Sequence, residues 1–435
     1  MILQQEYQAR RQELARRLPS GSIAIIPAAS ESLRNGDAHY RFRQDSDFYY
    51  LTGFNEPDAL LLIKAGRQTE SVLFNLPRDP LQEQWTGIRL GQEGACDVLG
   101  VDAAYPLDSL DEHLPQLLAG KQAVYYALGR NPAWELLILK AWQVVKGQTR
   151  RGVKAPEAFC DLAVIIGDMR LFKSEAEIAL MKQAAKISVA AHQRAMRACR
   201  KADYEYQLEA ELVYEFTRQG CRSVAYDSIV AGGRNACVLH YTDNNKPLHD
   251  GDLVLIDAGG EFENYAADIT RTFPVNGQFS PEQRQIYELV LQAQKAGINC
   301  VRPGNPWPEI QQTMVQIITS GLVDLKLLQG DVDGLIAREA YKPFYMHQSG
   351  HWLGLDVHDC GRYKIDNQWR VLESGMVLTV EPGIYIPPEL ENVDSRWRGI
   401  GVRIEDDIRV TDDGHENLTA DLEVEIASLE ALVRG

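Results

Sequence analysis

LVLIDAGGEFENYAADITRTFPV, residues 253–275, holds two strand-like runs around a turn, and each run carries an aspartate. Asp257 closes the apolar run LVLI, and Asp268 follows in the next run, with Gly259, Gly260 and Asn264 between them as turn formers. A hairpin of this kind sets two carboxylates side by side. Adjacent carboxylates repel, so one takes up a proton unless a cation or an acid–base task holds both ionised. For this pair taken alone, one exposed and one capping aspartate is the plainer alternative.

Outward from this stretch, helical and strand-like text alternate. In LFKSEAEIALMKQAAKISVAAHQRAMRACR (171–200), Ser174 and Glu177 form a capping box, and Ile178, Met181, Ala185 and Val189 recur at helical spacing. A long helix is predicted from Ser174, followed by a second helix, the aspartate strands, a further helical pair, and the strands GMVLTVEPGIY (375–385) and GVRIEDDIRV (401–410). Helices before antiparallel strands, twice over, predict an α+β domain over 174–435. Residues 1–173 read as a separate mixed α/β domain, with short apolar runs such as SIAIIPAA (22–29) and ESVLFNL (70–76) alternating with helical text such as DSLDEHLPQLLAG (108–120).

Bulk properties exclude whole function classes. A chain of 435 residues with 45% hydrophobic and 24% charged residues is globular and larger than one small module. With 45 Lys and Arg against 61 Asp and Glu, the net charge is -16 and no basic run tracks a phosphate backbone, so nucleic acid is not an expected partner. The seven scattered cysteines contain no Cys-x-x-Cys pair and suggest neither a disulfide framework nor a thiolate zinc site. The N-terminal MILQQEYQARRQELARRLPSG (1–21) lacks an apolar signal core, and no run is long enough to span a bilayer. A cytoplasmic protein without membrane attachment is expected.

Further carboxylates and histidines join the aspartate pair. Strict alternation in VLTVEPGIY puts Val377, Thr379 and Glu381 on one face, and in GVRIEDDI it puts Arg403, Glu405 and Asp407 together. Each glutamate alone reads equally well as a salt-bridged or solvent-facing strand residue. Of nine histidines, His347, His351 and His358 fall within MHQSGHWLGLDVHDCG (346–361), and His240 ends ACVLH before the Asp257 strand. His347 and His351 have helical spacing, but Gln348, Ser349 and Gly350 between them lack the zincin glutamate and are poor helix formers, so an irregular segment is expected. Four carboxylates with one imidazole form a mostly oxygen donor set. It suits Mn²⁺ or Mg²⁺, with Co²⁺ and Zn²⁺ also possible, and it neutralises two divalent ions that would acidify a water and polarise a carbonyl. A Cys360–His358 nucleophile is disfavoured, and there is no Gly-x-Ser-x-Gly elbow and no P-loop.

LHYTDN (239–244), the 253–275 stretch, HWLGLDVHD (351–359), VLTVEPGIY and GIGVRIEDDI (399–408), in this order, resemble the pita-bread metallopeptidases, in particular their Xaa-Pro aminopeptidase branch. RFRQDSDFYYLTGFNEPDALLL (41–62) resembles the creatinase-like first domain of that family. The resemblance implies a pita-bread catalytic domain over 174–435. It implies that Asp257 binds one metal, that Asp268 and Glu405 bridge two, and that His351 and Glu381 bind the second. It further implies substrate contacts from His240, His347 and His358, ordering of this network by Arg403 and Tyr385, and a proton-shuttling role for Glu381 or Glu405. Trp85 and Arg150 match first-domain residues that complete the substrate pocket of a neighbouring subunit, so a homodimer or homotetramer is implied. YKIDNQWR (363–370) departs from the family pattern in length, which leaves Arg370 without a clear counterpart. The implied activity is manganese-dependent release of the N-terminal residue from peptides with proline second. A prolidase, which shares every ligand, and a peptide-binding relative without enzyme activity are the alternatives.

Overall fold

The computed structural model describes residues 2–435, and the chain divides into two units after Arg170. In the first unit, β1 (Ile23–Pro27), β2 (Leu60–Lys64), β3 (Glu70–Asn75), β4 (Ala103–Pro106), β5 (Ala123–Tyr126) and β6 (Ala158–Asp161) form one sheet in the order β4-β3-β2-β1-β5-β6. Neighbours β1, β2 and β3 pair antiparallel, while β3–β4, β1–β5 and β5–β6 pair parallel. Helices α1 (Gln4–Arg17), α2 (Leu110–Leu118) and α3 (Pro132–Lys146) belong to this unit. Leu114, Ile138 and Val145 from α2 and α3 share a core with Ile23, Leu62 and Val124 of the sheet. The mixed α/β character expected from alternating apolar and helical text is present.

The second unit opens on the capping box. Ser174 Oγ accepts from Glu177 N at 3.3 Å and Glu177 Oε2 accepts from Ser174 N at 2.9 Å, so α4 (Glu175–Ala198) starts with two of its free N–H groups satisfied. Its buried face includes Ile178, Met181, Ala185 and Val189. Next come α5 (Glu205–Arg218) and β7 (Ile229–Gly232), then β8 (Leu253–Asp257), β9 (Gly260–Phe262), β10 (Tyr265–Ala266) and β11 (Thr270–Pro274). α6 (Pro281–Asn299), α7 (Pro308–Asp324) and the hairpin β12 (Lys364–Ile365) and β13 (Gln368–Trp369) follow. The chain finishes with β14 (Val377–Val380), β15 (Gly383–Ile386), β16 (Ile400–Arg403), β17 (Asp406–Val410), β18 (His415–Asn417) and a helix absent from the sequence reading, α8 (Ile426–Arg434). A core that includes Ile187, Leu212, Ile256, Phe273, Val290, Ile318, Leu378 and Val402 joins the helices to the strands, the α+β layering expected.

Strand limits differ from the reading in two places. Asp268 lies in an extended stretch just before β11, because the turn between the aspartates is itself a small hairpin, β9–β10, with Glu263 and Asn264 at φ of 50° and 66°. Glu381 and Glu405 both lie at strand breaks. β14 and β17 pair in one sheet and β15 and β16 in another, and Pro382, which has no N–H for a ladder, sits at the first break. Alternation along an unbroken strand therefore does not describe either segment. The second break nonetheless brings Glu405 to β11, since Glu405 N donates to Thr270 O at 3.1 Å.

Candidate metal centre

Register sets the floor of the site. Asp257 pairs with Ile229 on one side and Thr270 on the other, and Thr270 bridges to Glu405. Gly259 allows the two aspartate segments to approach, because a Cβ there would lie 1.7 Å from Ala267 O. Gly350 does the same for the histidine segment, where a Cβ would lie 2.1 Å from Thr379 O. That segment is irregular, as expected, and runs against β14: Thr379 N donates to His351 O and Glu381 N to Ser349 O, both at 2.9 Å.

Asp257, Asp268, His351, Glu381, Glu405 and Arg403 all line one cavity of about 770 Å³, together with His240, His347 and His358. One donor atom each from Asp268, His351 and Glu405 lie within 4.8 Å of one another. His351 Nδ1 donates to Trp352 O at 3.0 Å, which turns Nε2 toward Asp268 Oδ2 at 3.3 Å and Glu381 Oε1 at 3.7 Å. A carbonyl partner that fixes the imidazole in this way is the usual support of a metal-binding histidine. Arg403 Nη2 donates to Asp257 Oδ2 at 2.6 Å, Nη1 to Tyr385 Oη at 3.0 Å and Nε to Thr270 Oγ1 at 3.1 Å. Tyr385 Oη in turn donates to His347 Nε2 at 2.8 Å, while His347 Nδ1 donates to Gln348 O at 2.7 Å. Both ring nitrogens of His347 are thus engaged.

The charge balance of this cluster calls for cations. Burial raises Glu405 well above the usual carboxylate range, helped by Asp268, Glu381 and Asp257, and burial pushes Glu381 up to about 7. Burial also raises Asp257 against the pull of Arg403. Asp268 is the exception, for although burial works against it, the bond from His351 lowers it. Burial disfavours charge on His351 too, yet Asp268 and Glu381 raise it to about 9. Tyr226 Oη lies against both Asp257 Oδ1 and Asp268 Oδ1, so a single hydroxyl proton serves two carboxylates. Four carboxylates facing one guanidinium, with an imidazole nitrogen aimed among them, fit divalent cations held by hard oxygen donors.

Several residues that shape the site carry no sequence signal of their own. Tyr226 and Thr270 are among them; Thr270 Oγ1 donates to Glu405 Oε2 at 2.6 Å. Glu205, fully buried, accepts from Gly232 N, Asn235 Nδ2, Tyr241 Oη and Lys246 N at 2.8 to 2.9 Å and so anchors the loop that presents His240. The buried ion pair Lys173–Asp359 at 2.9 Å holds the residue next to His358. Trp85 and Arg150 belong to the first unit, where both are exposed, and neither lines this cavity.

The model of metallopeptidase family M24 matches residues 179–412. The chain belongs to this family. The model of the aminopeptidase P N-terminal domain matches residues 7–125, so the first unit is of the kind found in that branch of M24. The chain is 48% identical to the Xaa-Pro aminopeptidase of Escherichia coli K12 over 99% of its own length and 98% of the relative's. Aminopeptidase PepP of Pseudomonas aeruginosa superposes with a TM-score of 0.98 at 52% identity, covering 100% of this chain and 98% of that one. A variant of Escherichia coli aminopeptidase P in complex with substrate superposes at 0.97 with 48% identity, covering 100% and 98%. Together with the M24 match, these likenesses give the second unit the pita-bread architecture. No helix among the described residues is long and apolar enough to cross a membrane.

The raised carboxyls make the metal-free M24 site sensitive to pH. Glu381 at about 7 in the folded state against 4.5 ordinarily contributes stability that is present below about 4.5 and lost as pH rises through about 7. Glu405 and Asp257 act with the same sign. In chelator, the melting temperature of the wild-type protein is expected to fall more between pH 5 and pH 8 than that of Glu381→Gln, followed by scanning fluorimetry. An equal or smaller fall in the wild type contradicts the assignment.

Proposed function

We infer that the chain is a metal-dependent aminopeptidase that releases the N-terminal residue from peptides with proline in the second position. The observation that carries this is the convergence of Asp257, Asp268, His351, Glu381 and Glu405 on one cavity, in a chain that matches Xaa-Pro aminopeptidases over its whole length. Asp257, Asp268, Glu405, His351 and Glu381 would hold two divalent ions, with manganese favoured by the oxygen-rich donor set. Such ions supply a water acidic enough to ionise near neutral pH and a Lewis acid for the scissile carbonyl.

The remaining work falls to the chain's own groups. The carboxylate oxygens of the floor accept hydrogen bonds from the substrate's ammonium terminus, which limits cleavage to the first residue. Glu381, which lines the cavity beside the other ligands, is suited to carry a proton from the attacking water to the leaving imide nitrogen. Arg403 stays charged and works against the burial that raises Asp257, and through Tyr385 it fixes His347 as a neutral wall of the pocket. Burial and the Arg403 charge lower His347 to about 4, in keeping with a positioning role. His358 and His240 line the cavity, which supports a role for them as donors to the substrate carbonyl. His358 lies with its ring centroid 4.3 Å from that of His351.

His358→Ala is expected to lower kcat about a hundredfold with metal content unchanged. Parallel loss of metal, read by elemental analysis, would make His358 a ligand instead. The substrate class is tested by offering the manganese-loaded protein Ala-Pro-Ala, Ala-Pro and Ala-Ala-Ala. Cleavage of Ala-Pro-Ala with little of the others supports the aminopeptidase reading, whereas cleavage confined to the dipeptide makes the protein a prolidase. Trp85, 86% exposed with Leu81 and Ile88 exposed beside it, supports assembly of copies into a homodimer or homotetramer, with Trp85 and Arg150 serving a neighbouring pocket. The seven cysteines are free thiols, which supports a cytoplasmic setting.

A further inference from the structure

Beyond the carboxylate floor the cavity wall is aromatic, with Trp307, Tyr363 and Trp369 facing it. Two of these rings are fixed. Trp307 and Tyr363 meet edge to face at 4.7 Å, and Tyr363 stacks on the buried Trp352 at 5.3 Å and 17°. Tyr363 Oη also accepts from Trp352 N at 3.1 Å. Trp369 is different, being 46% exposed at the end of the β12–β13 hairpin. The hairpin turns through Asp366 and Asn367 at φ of 48° and 65°, left-handed values that residues of this type tolerate in a two-residue turn. Its base is clamped, since Arg370 N donates to Tyr363 O at 2.9 Å and Trp307 N to Arg370 O at 3.1 Å. Lys364 Nζ lies 4.3 Å from the Trp369 ring centroid, a cation–π contact within the same hairpin.

An indole held by a clamped hairpin at a cavity mouth, with nearly half its surface in water, has apolar area to lose when a ligand covers it. We propose that Trp369, which lines the same cavity as Trp307 and Tyr363, forms a subsite for the residue after proline and selects apolar and aromatic side chains there. The proposal rests on the aminopeptidase reading. In that reading the ammonium terminus lies on the buried carboxylates, and the peptide leaves the cavity by its exposed rim. Each extended residue advances about 3.3 to 3.6 Å, so the side chain beyond the proline lies closer to the exposed rim than the proline does. Trp369 offers it a flat apolar face that the charged floor does not.

The test compares kcat/KM for Ala-Pro-Phe and Ala-Pro-Gly with manganese-loaded wild type, Trp369→Ser and Trp369→Phe. Wild type is expected to favour the phenylalanine peptide by about tenfold, mainly through KM. Trp369→Ser should reduce that ratio to about twofold or less, and Trp369→Phe should restore most of it. A ratio unchanged in Trp369→Ser, or equal loss on both peptides, overturns the subsite alone. No cleavage of either peptide by the wild type overturns the aminopeptidase reading, and the subsite with it.

Discussion

Asp268→Asn is expected to lower kcat on Ala-Pro-Ala by about a thousandfold or more, while the metal-free protein keeps its fold. The two effects have opposite origins. Asp268 offers one of three donor atoms that lie within 4.8 Å of one another, so an amide in its place removes an anionic ligand on which several kcal/mol of transition-state stabilisation depends. In the metal-free protein the same change takes one negative charge from a buried cluster in which Glu405, Glu381 and Asp257 are all pushed up by burial and by Asp268 itself. The amide can still meet Tyr226 and His351, its present partners. Steady-state rates, bound metal and melting in chelator separate the two effects. Wild-type activity in the variant, or collapse of the metal-free fold, would contradict the account.

Arg403→Met is expected to destabilise the metal-free protein by about 3 to 5 kcal/mol, the usual consequence of leaving one charge of a buried pair alone. The guanidinium is 4% exposed and reaches Asp257, Tyr385 and Thr270 with three separate nitrogens. No single ammonium can do that, so Arg403→Lys should recover only part of the loss. Added Mn²⁺ should restore more to Arg403→Met than to the wild type, because a cation then shares the Asp257 charge. Denaturant melts with and without metal measure this. A loss below about 1 kcal/mol would mean that Arg403 is not the counter-charge of the site.

Much of this was legible from residue order, for chemical reasons. Carboxylates that close apolar runs, such as Asp257, and a charged residue inside VLTVEPGIY need partners, and the sequence offers those partners at few places. The Ser174 capping box and the spacing of Ile178, Met181, Ala185 and Val189 depend on local geometry alone, and α4 follows them. What was not legible depends on contacts between distant segments. Tyr226 and Thr270 look like ordinary strand-flanking residues until β7, β8 and β11 are in register. Glu205 reads as a first-turn helix glutamate, yet it binds four groups of the His240 loop. The breaks at Pro382 and Ile404–Glu405 escaped the alternation pattern because each segment crosses from one sheet to another. The Lys173–Asp359 pair spans 186 positions, and no local rule joins residues that far apart.

The central claim, that this M24 chain works through two ions held by Asp257, Asp268, His351, Glu381 and Glu405, is tested most directly by titration. Metal-stripped protein receives Mn²⁺ in steps, and bound metal and Ala-Pro-Ala hydrolysis are followed together. The account predicts no hydrolysis before metal is added, and activity that rises with bound Mn²⁺ and levels off at two equivalents per chain. Hydrolysis in the stripped protein, or no dependence of activity on bound metal, would contradict it.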